Sequence, residues 1–162
     1  MALWLSSRDF THNGSIPARF TCEGDDVSPA LEWHDPPPAT RSFALVVDDP
    51  DVPDPAHPQR IWVHWVLYNI PASVRALPQA SRSATLPAGT QPGMNDWNST
   101  GYGGPCPPIG RHRYFFKLHA LDCVLPDLHE PTKVQLEAAM EAHVLEIAEL
   151  VGTYKKASGG TR

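Results

Sequence analysis

Three apolar runs stand out from an otherwise polar, proline-punctuated chain. Residues 42–47 (SFALVV), 61–70 (IWVHWVLYNI) and 113–121 (RYFFKLHAL) are dense in β-branched and aromatic side chains and predict strands. In the third run the two-residue alternation of a strand puts Tyr114, Phe116, Leu118 and Ala120 on one face. Shorter strands are expected at 18–21 and 31–33. The intervening segments 36–38, 50–58 and 103–110 carry prolines, which cannot donate to a ladder, and read as loops. The pattern changes near the C-terminus. From 132 to 151 there is no proline or glycine, and Leu136, Met140, Ile147 and Leu150, with His143 as one polar exception, recur at spacings of four, three, four and three. That period predicts an amphipathic helix. Thr132 and Gln135 match a capping box at its start, and Gly152 fits the residue just past its end. His143 is expected as a half-buried helix residue without a functional role, and residues 155–162 as a frayed tail. The fold class that follows is mainly β, with a C-terminal amphipathic helix packed on a sheet.

The chain has 162 residues, within the usual span of one domain, so a single domain over 1–162 is expected. Its 18 prolines and 11 glycines point to ordered loops, staying below the ~25–30% that marks disorder. No apolar run approaches the ~18–20 residues of a membrane span, so no integral membrane segment is expected. The net charge of −5 argues against a nucleic-acid partner, which calls for a cationic surface. Residues 1–10 hold a short apolar cluster with no basic start before it, which points to the cytoplasm. Cys22, Cys106 and Cys123 form no CxxC pair, so neither a zinc site nor any other cofactor is expected. In a reducing compartment they read as free thiols.

Polar groups inside apolar runs carry the functional signal, because burying one without a partner costs roughly 1–3 kcal/mol. His64 sits amid Trp62-Val63-His64-Trp65-Val66 and is expected to share a face with Trp62, Val66 and Tyr68. Asp48-Asp49-Pro50-Asp51 ends the first run, and Gly110-Arg111-His112-Arg113-Tyr114 opens the third. Two histidines, a tyrosine hydroxyl and glycine-rich amides make a compact anion site, with carboxylates favouring the protonated rings. The loop 103–110 (GGPCPPIG) combines close-approach glycines with stiffening prolines and lacks the lysine of a P-loop. The same residues allow a second reading, in which His64, His112, Asp49 and Asp51 act as acid–base pairs of a phosphoester or other small-molecule hydrolase. Against hydrolysis, no GxSxG element is present, and against metal binding by the same four residues, neither HExxH nor a comparable ligand spacing occurs. A third reading is a protein-interaction scaffold with a vestigial pocket.

Several of these segments together resemble the phosphatidylethanolamine-binding protein family, and most closely its bacterial and archaeal Raf-kinase-inhibitor-like branch. They are FTCEGDDVSP from Phe20, DPDVP from Asp49, WVHW from Trp62, YNIP from Tyr68, GPCPP from Gly104 and HRY from His112. The resemblance implies a large antiparallel sheet, a smaller sheet, peripheral helices and a small pocket for phosphate, phosphorylated headgroups or phosphorylated peptides. Carried over residue by residue, that pocket falls on Asp49, Asp51, Pro53, His64, Gly104, Pro105, His112 and Tyr114. The function implied is non-enzymatic binding that modulates a kinase or other protein partner. A homodimer is expected on the same ground. The lid helix of eukaryotic relatives is not expected here, because the chain ends soon after the C-terminal helix. The resemblance, with the tight Pro50-Asp51-Val52-Pro53 corner, also implies a cis bond at Val52–Pro53, and it places Cys22 near Cys106 with both thiols reduced.

Overall fold

The computed structural model of the protein describes residues 2–157. Among these described residues nine strands form two sheets: β1 (Trp4–Ser6), β2 (Gly14–Ser15), β3 (Leu31–His34), β4 (Ser42–Asp54), β5 (His57–Pro71), β6 (Ala76–Leu77), β7 (Gln91–Pro92), β8 (His112–Leu121) and β9 (Val144–Tyr154). The larger sheet runs β2-β9-β8-β4-β5-β7 and the smaller β1-β3-β6. Every pairing is antiparallel except β2 with β9. The central strand β4 is buried on both faces, as its unbroken SFALVV run requires. On one face Phe43, Leu45 and Val47 join Trp65, Phe116 and Leu118 beneath Trp33 and Leu77 of the small sheet. On the other, Ala44 and Val46 meet Val66, Tyr68, Leu136 and Met140.

The C-terminal third departs from the expected long helix. α1 spans only Lys133–Met140, followed by a 3-10 turn, Glu141–His143, and then by β9. The capping box at Thr132 and Gln135 is present, with reciprocal bonds of 3.0 and 3.2 Å. Lys133 pins this end of the helix to the sheet through a 2.9 Å ion pair with buried Asp48. The long helix loses because β8 would otherwise expose an open edge. Ala148, Leu150, Gly152 and Tyr154, buried at a two-residue spacing, satisfy β8 as a strand while Ile147 turns outward. Gly152 is therefore no helix terminator. It lies inside β9, where a Cβ would sit 2.5 Å from Ile16 Cγ1.

Three smaller expectations also change. Residues 18–21 fold as a 3-10 turn (Ala18–Phe20) after Pro17, not as a strand. The 50–58 segment is not a loop, since β4 and β5 continue as a hairpin to Asp54 and His57, joined by Pro55 and Ala56. The tail is tied down at its start, because Ala157 N–H donates to Glu23 Oε1 at 2.9 Å. The remainder of the tail, 158–162, lies outside the described residues. No helix among the described residues is long and apolar enough to cross a membrane.

Candidate functional site

At the end of the sheet where β4 turns into its hairpin, irregular pairing re-aims the polar side chains. Val47 pairs with Trp65 but Asp48 pairs with Val63, so His64 is the extra residue of a bulge. The bulge turns His64 away from Val66 and Tyr68, with which a regular strand would align it. Its ring instead meets Tyr114 edge-on at 5.2 Å and Trp97 at 5.1 Å. A second irregularity, between Asp49 and Val52, forms the proline corner, and the Val52–Pro53 bond is cis.

These elements enclose a cavity of about 320 Å³ lined by Asp49, Val52, Trp62, His64, Trp97, Tyr114 and the segment Cys106-Pro107-Pro108. Of the eight residues expected at the site, Asp49, His64 and Tyr114 line it. The other five stand behind its walls, each holding a neighbour in place. Asp51 is clamped by the Arg113 guanidinium in two bonds, at 3.0 and 2.8 Å, and accepts the Arg113 backbone N–H at 2.9 Å. Those bonds hold its carboxyl below the usual carboxylate range. Gly104 N–H donates to Asp26 Oδ1 at 2.8 Å, in a gap where a Cβ would meet that oxygen and the Phe20 carbonyl, both at 2.4 Å. The Pro105 carbonyl accepts from Cys22 N–H at 3.1 Å.

His112 is wholly buried and committed. Its Nε2–H donates to the Ile109 and Pro53 carbonyls at 2.9 and 3.1 Å, which leaves Nδ1, 2.6 Å from Asp49 Oδ2, to share a proton with that carboxyl. Because carbonyls only accept, the pair holds one proton between Nδ1 and Oδ2 and is neutral overall. Burial pushes the Asp49 carboxyl up, and its bond to His112 pulls the other way. His112 therefore offers no free ring nitrogen to the cavity and does not line it, in contrast to the ligand contact expected from sequence.

His64 differs. Its Nδ1–H donates to the Gly103 carbonyl at 2.7 Å, and Gly103 N–H returns a bond to the His64 carbonyl at 3.0 Å. Burial lowers its pKa to about 4, against the opposing pull of Asp48 and Asp96. The resting ring is thus neutral, with Nε2 as an acceptor. Tyr114 carries a phenol pushed far up by burial and then by the negative charge of Asp49. Its hydroxyl and the Trp62 indole N–H are both buried without a hydrogen-bond partner of ordinary geometry.

Trp97 carries no mark of its own in the sequence, and Trp62 only that of a neighbour on the His64 face. Trp97 reaches the site because buried Asn95 folds its loop, accepting from the backbone N–H of Trp97 and Ser99. Asp96 then docks the loop on β5 by accepting Val63 N–H at 2.7 Å. The one available signal was a buried-type Asn beside Asp and Trp in a loop.

Cys22 and Cys106 are adjacent as expected, but they are joined in a disulfide rather than reduced. Their Cα atoms are 5.4 Å apart, inside the range a bridge requires, and the neighbouring Cys22–Pro105 bond holds them there. That proximity, on which a bridge depends, is not visible in the composition.

The family model for phosphatidylethanolamine-binding proteins matches residues 6–155. The chain belongs to that family. A "UPF0098 protein" of Methanothermobacter thermautotrophicus is 44% identical over 156 residues, covering 94% of this chain and 98% of the relative. Another, from Chlamydia pneumoniae, is 42% identical over 152 residues, with 94% and 98% covered. Among solved structures, a phosphatidylethanolamine-binding protein homolog from Chlamydia trachomatis is 39% identical with a TM-score of 0.87, over 96% of this chain and 98% of that one. Escherichia coli YbcL, described as a new member of the mammalian family, is 30% identical with a TM-score of 0.87, over 96% and 99%. The mainly β, two-sheet architecture is thus that of the phosphatidylethanolamine-binding protein fold.

Proposed function

We propose that the cavity binds a small oxyanion, either phosphate or the phosphoryl group of a headgroup or peptide, and does not transform it. The observation that carries this reading is the pair of buried donors on two residues that line one cavity, Trp62 Nε1–H, which has no hydrogen-bond partner, and Tyr114 O–H, which faces the Asp49 carboxyl without a hydrogen bond of ordinary geometry. Nearly all buried polar groups are paired, so one unpaired and one poorly paired donor on the same cavity call for an acceptor between them. A phosphoryl oxygen supplies it. His64 Nε2 adds a proton-dependent contact, because it accepts from a protonated ligand oxygen or takes a proton and donates to an anionic one. Sharing its proton with His112 removes the repulsion that a lone Asp49 carboxylate would exert on an anion.

The hydrolase reading finds less support. His112 spends both ring nitrogens on the Asp49 carboxyl and two carbonyls, and Asp51 is spent on Arg113. Neither has a free proton site for a reacting group. Modulation of a kinase or other protein partner, and a homodimer, belong to the same proposal on family grounds.

Calorimetric titration with phosphate, phosphoethanolamine and a phosphoserine peptide, alongside a phosphate-release assay, tests the proposal. It expects saturable binding and no release. Release at a rate that His64→Gln abolishes would replace binding with hydrolysis. Absence of binding by all three ligands would leave the scaffold reading.

A further inference from the structure

Away from the cavity, three metal-binding side chains converge where β8 ends and β9 begins. Asp122 and Cys123 follow β8 directly, and His143 closes the 3-10 turn that feeds β9. Their carboxylate, thiol and imidazole ligand atoms all lie within 4.8 Å of one another. The backbone beneath them is fixed from the sheet. Asp122 N–H donates to the His143 carbonyl at 3.0 Å, and Ser42 O–H donates to the Cys123 carbonyl at 2.6 Å. The side chains stay at least partly exposed, and His143 Nδ1 lies 2.9 Å from Asp122 Oδ1. Cys123 is the cysteine left outside the disulfide.

We propose that Asp122, Cys123 and His143 form a binding site for a thiophilic divalent transition metal, with zinc the ion the donor set suits best. Thiolate, imidazole and carboxylate are the usual zinc ligands, at about 2.0–2.3 Å from the ion. Two such ligands are then about 3.5 Å apart at a tetrahedral angle, so side-chain rotations of about 1 Å close the set. Three protein ligands leave a fourth position for water or an outside ligand. The thiolate discriminates against magnesium and calcium, which take oxygen donors. On binding, the thiol proton passes to solvent, and His143 moves its ring proton from Nδ1 to Nε2 as Nδ1 takes the metal. Asp122 and Arg41 are the charged groups acting on the thiol. Arg41 opposes a cation, so the site rests on its three ligands rather than on bulk negative charge. The ligand spacing along the chain matches no motif. Antiparallel pairing of β8 with β9, through Leu121 and Val144, creates the cluster.

Cobalt(II) titration of the unreduced protein, with the Cys22–Cys106 bridge closed, tests the site. The wild type should develop a near-ultraviolet thiolate-to-cobalt charge-transfer band that saturates at one equivalent. Equimolar zinc should erase it, and excess magnesium should leave it intact. Cys123→Ser should lack the band, and His143→Ala and Asp122→Asn should bind more weakly with altered visible bands. Far-UV circular dichroism checks that each variant keeps the fold. No such band in the wild type, or a band that persists in Cys123→Ser, would overturn the proposal.

Discussion

At the scale of single residues, His64 and Tyr114 keep groups under strain of solvation that a packed core would avoid. His64 has its pKa lowered to about 4 by burial, so the folded state resists protonation that the unfolded chain accepts below about 6.5. Its neutral form therefore leaves stability intact above pH 6.5, and stability falls as pH drops toward 4, by on the order of 3 kcal/mol in all. Urea melts between pH 7 and 4 should display that slope, and His64→Gln should flatten it. An equal slope in the variant would mean that other groups carry the acid sensitivity. Tyr114→Phe removes a buried hydroxyl that makes no hydrogen bond of ordinary geometry, so the unliganded variant should melt at or above the wild-type temperature. Its sulfate affinity should nonetheless fall by about one to two decades, the loss of a hydrogen bond to a charged group. A clear loss of stability with unchanged affinity would show that the hydroxyl is satisfied within the protein. The sequence marked both residues through their burial and polarity. It misassigned the face of His64, because a bulge is a register event between two strands and leaves no trace in the alternation of one. It also gave His112 a ligand contact, when the Pro53 and Ile109 carbonyls that occupy its ring come from backbone that only the folded corner brings near.

At the scale of elements, the three strong apolar runs were legible because their burial is set locally, on strands covered from both sides. β9 was not. Its residues fit a helical period almost as well as a strand, and the deciding influence, the unpaired edge of β8, lies about 30 residues away. Gly152 separates the two readings. Past a helix end, alanine there would meet open space. Inside β9 its Cβ would crowd Ile16 and Phe10 at 2.5 and 2.8 Å, and overpacking of this kind typically costs ~1–3 kcal/mol. Chemical denaturation of Gly152→Ala should give a loss in that range. A change within a few tenths of a kcal/mol would contradict the packing of Ile16 and Phe10 on β9. The short helix α1 was legible at its start, where the Thr132–Gln135 box is local, and illegible at its end, where tertiary pairing overrides propensity.

At the scale of the whole molecule, the two sheets and the hairpin corner act together to hold a donor-lined cavity against one end of β4, β5 and β8. The disulfide joins the 20–26 and 103–110 segments at its wall, and Arg113 with Asp51 anchors the opposite corner. That frame leaves His64 as the group whose charge is free to follow a ligand. Its environment includes Asp48 and Asp96, which favour the proton against the cost of burial. An anion adds to the favourable side, so its binding draws a proton onto Nε2. Affinity for sulfate, whose own charge is fixed over this range, must then rise as pH falls from about 7 toward 4, by up to about tenfold per pH unit where one proton is taken up. Sulfate calorimetry across that range, on the wild type and on His64→Gln, is the most direct test. The account predicts that the wild type binds ever more tightly as acid is added and that the variant loses the slope. Sulfate affinity independent of pH, or a slope retained by His64→Gln, would contradict it.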